Sequence, residues 1–348
     1  MTLQTQKQAM KQVIEIKSRS HIVIGDVLQA LPSLLPDKRI IVITDSNVDR
    51  LHHTLVAKYE NIIIGLGEQS KNLATVERLY NALLEKSVDR NCFLLGIGGG
   101  IVTDVTGFVA STYMRGLEFG FISTTLLGEV DASVGGKNGV NIGGYKNIVG
   151  TITQPRFVVC DPHLLTTLSD REFRAGLAEV IKSAIISDAS LFSLLEQNDF
   201  ETLRHNEELL GEIIAATLRI KTSIVETDEQ EGGLRRVLNL GHTPAHAIEK
   251  CCHNYNHGEA VAIGLNWVAQ AAVKAEMMSK KEADRISALL AKFGFETELP
   301  VPITDLLKAM RKDKKRNGET IHLIVPEQIG KVVDIKLTYE EMDNLLSK

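Results

Sequence analysis

The sequence predicts an α/β protein, with a parallel-sheet domain over residues 1–162 and a mainly α-helical domain over 163–348. Three observations predict it. Through the first half, short apolar runs alternate with helix-length stretches, the order that builds a mostly parallel sheet covered by helices. After Asp161-Pro162 the pattern changes, and helix-length segments follow one another. The length, 348 residues, suits two domains of roughly 150 each.

The runs 21–24, 40–44, 62–64, 93–97 and 157–160 are apolar and close in Gly, Thr or Asp, so each reads as a buried strand ending in a turn. Between them, 72–86 carries Leu73, Val76, Leu79, Tyr80, Leu83 and Leu84 on one helical face. A helix is also expected over 101–112. In the second half, helices are expected at 170–187, 189–197, 206–226, 258–279, 281–293 and 304–311, with a two-strand element near 321–325 and 331–335. A closing helix follows Thr338, which with Glu341 fits a capping box. Such sheets take ligands at the C-terminal ends of their strands, and the crevice between two domains is the expected site.

Composition excludes several classes. With 39 Lys plus Arg against 44 Asp plus Glu, the net charge is −5, which gives a general nucleic-acid partner no electrostatic support. A 44% hydrophobic, 24% charged chain is neither disordered nor collagenous nor a coiled coil. No apolar run reaches the ~18–20 residues of a membrane helix, so no membrane partner is expected. The four cysteines, with Cys251 beside Cys252, form neither a disulfide framework nor CxxC pairs. The first residues have no apolar signal core, so a reducing, cytoplasmic compartment is expected.

Several segments carry chemistry. Gly96-Ile97-Gly98-Gly99-Gly100 joins a strand to a helix, an arrangement that brings backbone N–H groups and a helix N-terminus against a diphosphate; a tight turn is the competing account. Asp104, one turn on, either caps the helix or meets a ligand hydroxyl. Asp45 and Asn47 end another strand, where they accept from hydroxyls or simply make an Asx turn. Glu68 and Lys71 lie in a polar loop after the third run. The stretch 123–150, with Thr124, Thr125, Asp131, Lys137, Lys146, Asn147 and five glycines between 135 and 144, suits a backbone folded around a phosphate or polyol.

Four of the ten histidines fall within 242–257. Arg235, Asn239, His242 and His246 share one face if the helix is continuous, although Gly241 and Pro244 can interrupt it and Thr243 can cap a new one. Glu179 and Lys182 sit three apart on the helix 170–187, whose apolar face is Phe173, Leu177, Val180, Ile181 and Ile185. A Glu with two His is a catalytic zinc set that leaves a position for water or substrate; satisfied structural histidines are the alternative. The run 310–316 holds five basic residues, either a solvated face or a cationic lid.

Together these motifs resemble the 3-dehydroquinate synthase family. GEQSKN at 67–72, GIGGGIVTDVTGFVASTYMRG at 96–116, STTLLGEVDASVGGKNGVN at 123–141, KNIVGTITQP at 146–155, AEVIK at 178–182, RRVLNLGHTPAHAIE at 235–249, HGEAVAIG at 257–264 and DKK at 313–315 stand in the family's order. The resemblance implies a Rossmann-like NAD-binding domain before a metal- and substrate-binding one, usually in a homodimer. It implies conversion of 3-deoxy-D-arabino-heptulosonate 7-phosphate, a small sugar phosphate, to 3-dehydroquinate and phosphate. The steps would be transient oxidation by NAD, phosphate elimination, re-reduction and aldol closure. Another sugar-phosphate cyclase, of sedoheptulose 7-phosphate type, and a metal-dependent alcohol dehydrogenase are the rivals.

Carried over by motif, Glu179, His242 and His257 hold one divalent metal, zinc or else cobalt. Lys137, Asn147, His246 and Lys314 resemble the phosphate and substrate contacts, Arg235 and Asn239 the carboxylate contacts, and Lys182 and Lys221 further active-site cations. Asp45, Asn47, Glu68, Lys71, Gly99, Gly100, Asp104, Thr124, Thr125, Asp131, Lys137 and Lys146 resemble NAD contacts. Arg115, just beyond the helix 101–112, is a surface residue by its position, whereas the resemblance sends it to the partner's phosphate site. Three places depart from the family's pattern: Gly128-Glu129, Asn138 and Thr151-Ile152. Glu129 is expected to add a negative charge beside the nucleotide loop. Residues 1–9 precede Met10 and match nothing, as a start-site extension would.

Overall fold

The computed structural model describes residues 12–16, 19–311 and 319–347. Lys314 and the extension at 1–9 lie outside the described residues. The chain forms two compact units. One holds the described residues up to Leu168 together with Glu207–Leu218; the other holds Ser169–Asn206 and the described residues from Arg219 on.

The strands of the first unit are β1 Gln12–Ile16, β2 Ser20–Ile24, β3 Arg39–Asp45, β4 Glu60–Ile64, β5 Cys92–Gly98, β6 Glu118–Ser123, β7 Lys137–Ile142, β8 Tyr145–Ile152 and β9 Phe157–Cys160. Its helices are α1 Val27–Leu34, α2 Ser46–Leu51, α3 His53–Val56, α4 Leu73–Glu85 and α5 Gly100–Thr112. Seven strands form one sheet in the order β1-β2-β9-β6-β5-β3-β4. Every pairing in it is parallel except β1 with β2. The central strand β5 is buried along its whole length, as a parallel strand covered on both faces must be. Its Phe93 stacks on Phe157 of β9, ring centroids 5.7 Å apart, and Val42, Leu95, Ile97, Ile122 and Val159 complete the centre of the core.

Four of these strands, β1, β6, β7 and β8, were not expected. β6 opens on Glu118 and is interrupted by Gly120, so its apolar run is short. The glycine is needed because a Cβ there would come within 2.7 Å of the Phe157 ring. The stretch 123–150 is not one irregular glycine loop. After a single π-turn, Gly128–Ala132, it forms the antiparallel hairpin β7–β8, whose two-residue turn is Gly143-Gly144, both at positive φ.

The second unit contains α6 Asp170–Ser187, α7 Ala189–Gln197, α8 Phe200–His205, α10 His242–Cys251, α11 His257–Lys274, α12 Lys280–Lys292, α13 Ile303–Arg311, the hairpin β10 Thr320–Gln328 with β11 Lys331–Thr338, and α14 Tyr339–Ser347; α9, Glu207–Thr227, is divided between the units. The expected face of α6 is buried, with Phe173, Leu177, Val180, Ile181 and Ile185 all at 1% exposure or less. At the start of α14, Thr338 and Glu341 exchange the two hydrogen bonds of a capping box. The expected helix 258–279 stops at Lys274, and the short α8 was hidden between its neighbours.

Candidate active site

In the first unit, four neighbouring strands deliver the sequence-picked residues at their C-terminal ends. Asp45 closes β3, Glu68 and Lys71 follow β4, Gly99 and Gly100 follow β5, and Thr124 and Thr125 follow β6. That is where a parallel sheet binds ligands. None of Gly98, Gly99 and Gly100 is at positive φ. They are glycines because of crowding: an added Cβ would meet Val102 at 2.5 Å, Thr125 at 2.8 Å and Ala132 at 2.9 Å respectively. Gly99 is the N-cap of α5 and gives it no side-chain cap, so the first-turn N–H groups are offered by bare backbone.

The polar side chains around this loop are partly committed to one another. Asp45 caps α2, accepting from the N–H groups of Asn47 at 2.8 Å and Val48 at 2.9 Å. Asn47 accepts from Arg50 at 3.0 Å, and Glu68 accepts from Asn141 at 2.7 Å. Lys71, buried, pairs with Asp104; burial lifts the Asp104 carboxyl to about 6 against the pull of Lys71. Asp131 sits in the π-turn. Lys137, Lys146 and Asn147 belong to the β7–β8 hairpin, with Asn147 in the left-handed region. Arg115 lies at the far end of α5 from the glycines, exposed, and Met114 and Arg115 are both at positive φ.

Glu129 corrects an expectation. Its side chain is wholly buried, and both carboxylate oxygens lack a hydrogen-bond partner. Burial, reinforced by Asp161, pushes its carboxyl well above the ordinary range. The burial therefore favours the neutral acid over the negative charge expected beside the glycine loop.

In the second unit, Glu179, His242 and His257 converge, each with a donor atom within 4.8 Å of the others. Glu179 is 1% exposed. His242 Nε2 and His257 Nε2 lie 3.6 and 3.4 Å from its Oε1, Lys182 Nζ pairs with its Oε2, and neither oxygen has a well-formed hydrogen bond. Burial alone would raise this carboxyl, but Lys182, His242 and His257 outweigh it and hold it well below the usual range. Each imidazole is fixed from behind. Nδ1 of His242 donates to the Leu240 carbonyl at 3.1 Å, and Nδ1 of His257 faces Glu249 at 3.4 Å. Such outer partners leave Nε2 as the ligand nitrogen. Burial, with Lys182 next, lowers His242 to about 3. His257 is raised to about 10, because Glu179 and Glu249 overcome its burial. A buried carboxylate with unsatisfied oxygens facing two oriented imidazoles is a donor set that fits a tetrahedral dication.

Arg235, Asn239, His242 and His246 do not share one helix. Gly241, left-handed at φ 75°, separates the 3₁₀ turn Leu234–Asn239 from α10. Gly241, not Thr243, is the N-cap, and His242 is the first helical residue. Only a residue tolerant of that φ can break the helix so sharply, and the break turns His242 toward Glu179. Arg235 is buried; its N–H donates to Asp228 at 3.0 Å and its guanidinium to the Glu229 carbonyl at 2.7 Å. Asn239 donates to Glu231 at 2.9 Å. His246 lies beside His242, ring centroids 5.8 Å apart. Lys221, on α9, is buried. Glu249 was missed as an outer partner, although its eight-residue spacing from His257 lay inside the quoted motifs.

The model described as 3-dehydroquinate synthase N-terminal matches residues 61–175, and the one described as 3-dehydroquinate synthase C-terminal matches 176–316. The 3-dehydroquinate synthase of Alkaliphilus metalliredigens (strain QYMF) is 41% identical over 317 residues, 88% of this chain and 89% of that one. Among solved structures, 2-epi-5-epi-valiolone synthase from Streptomyces hygroscopicus subsp. jinggangensis 5008, with NAD+ and Zn2+ bound, superposes with a TM-score of 0.85 at 27% identity, covering 97% of each chain. A 2-deoxy-scyllo-inosose synthase complexed with carbaglucose-6-phosphate, NAD+ and Co2+ gives 0.86 at 24%, covering 97% of this chain and 99% of that one, which shows a shared fold. With both halves matched and a relative so similar along most of its length, the chain is an α/β enzyme that belongs to the 3-dehydroquinate synthase family.

Proposed function

We propose that the chain converts 3-deoxy-D-arabino-heptulosonate 7-phosphate to 3-dehydroquinate and phosphate. The observation that carries this reading is the Glu179–His242–His257 cluster in a chain of this family. Bound NAD would supply a reversible oxidant and a bound dication, zinc or else cobalt, a Lewis acid. The rest falls to the chain's own residues. Glu179, His242 and His257 hold the dication, and the crowded glycines Gly98–Gly100 let backbone N–H groups approach the NAD diphosphate. Asp45, Asn47, Glu68, Lys71, Asp104, Thr124, Thr125, Asp131 and Lys146 surround the nucleotide. Arg235 and Asn239 orient the substrate carboxylate. Lys137, Asn147, His246 and Lys314 meet the phosphate end, with Lys182 and Lys221 as further cations. The departing phosphate takes up the proton itself, so elimination needs little enzyme base. A cytoplasmic location goes with this reading, which the four free cysteines fit.

The test is an assay of inorganic phosphate release from the heptulosonate phosphate, with NADH followed by absorbance. Phosphate should appear without accumulated NADH, and a chelator should stop it. Accumulating NADH would instead mean an alcohol dehydrogenase. Turnover of sedoheptulose 7-phosphate but not of the heptulosonate would favour the other cyclases, the kind met among the solved relatives.

The proposal includes a homodimer in which Arg115 completes the partner's phosphate site. Two observations support it. Met114 and Arg115 both hold a left-handed backbone, which costs of order 1–3 kcal/mol per residue and tends to persist at functional sites. The β7–β8 hairpin also exposes Ile142, Tyr145, Ile148 and Ile152, each at 40% or more. Mixing inactive Arg115→Ala and His242→Ala chains under subunit exchange should restore up to about half the activity of each heterodimer. No recovery in demonstrated heterodimers means Arg115 acts within its own chain or not at all.

A further inference from the structure

Asp228 follows the last residue of α9, and its own N–H closes that helix on the Ile224 carbonyl at 3.0 Å. A carboxylate is out of place at the negative end of a helix dipole, so other partners must hold it there. They come from the turn that follows. Oδ1 of Asp228 accepts from the N–H of Gly232 at 2.9 Å, and Oδ2 accepts from those of Gly233 at 2.7 Å and Arg235 at 3.0 Å. These bonds, Arg235 and Gly233 first, hold the Asp228 carboxyl below its ordinary value. The N–H groups of Gly233 and Arg235 open the 3₁₀ turn Leu234–Asn239, whose N-cap is Gly233 and carries no side-chain cap. Asp228, five residues upstream, thus supplies the cap that the glycine cannot.

The chain between them, 229–232, is closed into a loop in which Glu231 is left-handed at φ 59°, a backbone state that persists where its neighbours over-determine it. That loop in turn receives the polar side chains of the 3₁₀ turn. The Arg235 guanidinium donates to the Glu229 carbonyl at 2.7 Å, Arg236 to the Gly232 carbonyl at 2.7 Å, and the Asn239 amide to Glu231 Oε1 at 2.9 Å. Each of the three leans on a residue whose place is set by one carboxylate. Arg235 is 3% exposed. A guanidinium so enclosed has little freedom to search for a ligand, so its direction must be fixed beforehand.

We propose that Asp228 is a positioning residue for the substrate carboxylate: by fixing the loop 229–232 and capping the 3₁₀ turn, it aims Arg235 and Asn239. This role rests on the proposed function, which gives those two residues the carboxylate, and Asp228 acts through them.

The test follows steady-state phosphate release from the heptulosonate phosphate by the zinc-loaded, NAD-bound enzyme. Asp228→Ala removes all three acceptors and should raise KM about tenfold while kcat falls by no more than about threefold, with bound zinc and NAD affinity unchanged. Asp228→Asn keeps one acceptor oxygen and should raise KM about threefold; it supplies the reading if the alanine variant does not fold. A double-mutant cycle then asks whether the effect passes through Arg235. Added to Arg235→Ala, Asp228→Ala should lower kcat/KM by at most about threefold more, against a further tenfold or so if the two residues act independently. A merely structural role gives another pattern: lost zinc, kcat falling as far as KM rises, and additive losses in the cycle. That pattern would overturn the proposal, as would a KM within about twofold of the unaltered enzyme in both variants. An unaltered enzyme that releases no phosphate from the heptulosonate sinks the proposed function and this role with it, whereas an active enzyme beside unaffected variants sinks this role alone.

Discussion

Glu129 and Glu179 are the same residue in nearly the same degree of burial, one in each unit, and their carboxyls are shifted in opposite directions. Each is at most 1% exposed, and the carboxylate oxygens of both lack a hydrogen-bond partner. Desolvation pushes both toward the neutral acid. Around Glu179 stand Lys182, His242 and His257, which win; around Glu129 the principal charged neighbour is Asp161, which adds to the burial. Burial makes a carboxylate sensitive to its surroundings, and the sign of the neighbouring charge then decides what it becomes. A charged, under-coordinated carboxylate is a donor for a metal; one pushed toward the neutral acid is not.

The largest way to break this comparison is Glu179→Gln. It keeps the shape and removes the charge, so the bound dication should be lost and phosphate release should fall on the order of a thousandfold, the several kcal/mol a Lewis acid contributes. NAD affinity should survive. Elemental analysis and turnover check it together, and a fully metallated, active Glu179→Gln would end the distinction.

Glu129→Gln should do far less to activity and should change stability in a pH-dependent way. The folded protein keeps the Glu129 proton above the ordinary glutamate value, whereas the unfolded chain loses it there. From the unfolded pKa of about 4.3 upward, the unfolded state therefore binds fewer protons, and folding stability declines by up to about 1.4 kcal/mol per pH unit until the folded group titrates. The variant has no such slope. It should match the parent near pH 4.5 and become progressively more stable than it as the pH rises toward 8, as read by denaturant unfolding at the two pH values. A constant difference would mean that Glu129 is ionised in the fold. Asp161→Asn should narrow the gap only in part, because burial ranks ahead of the Asp161 charge in holding the proton.

What was legible in the sequence follows the same division. Uninterrupted apolar runs such as 93–97 and 157–160 announced their strands, and α6 and α7 were located to the residue, because each has a side-chain N-cap, Ser169 and Asp188. β6 was hidden by a glycine whose reason is a ring on another strand. The β7–β8 hairpin was hidden because its glycines invited a ligand explanation, although Gly143-Gly144 between alternating residues was a turn signal. The metal cluster was visible as residue types but not as geometry. Spacing put four residues on one helix, and only the left-handed Gly241 shows how His242 turns away from Asn239. Glu129's proton could not be read from sequence at all, since it depends on Asp161, 32 residues further along the chain.

One packing contact sets the spacing of two residues of the metal set. Gly258, the residue after His257, is so close to α6 that a Cβ would come within 2.2 Å of the Cα of Ala175, and Ala175 lies one helical turn before Glu179. The two helices run backbone against backbone beside the point where they deliver these side chains, so neither can close further on the other, and any side chain at 258 would push the imidazole and the carboxylate apart. The absence of one Cβ thus fixes how near two ligands on different helices can come, a constraint held by the main chains and not by the side chains that meet.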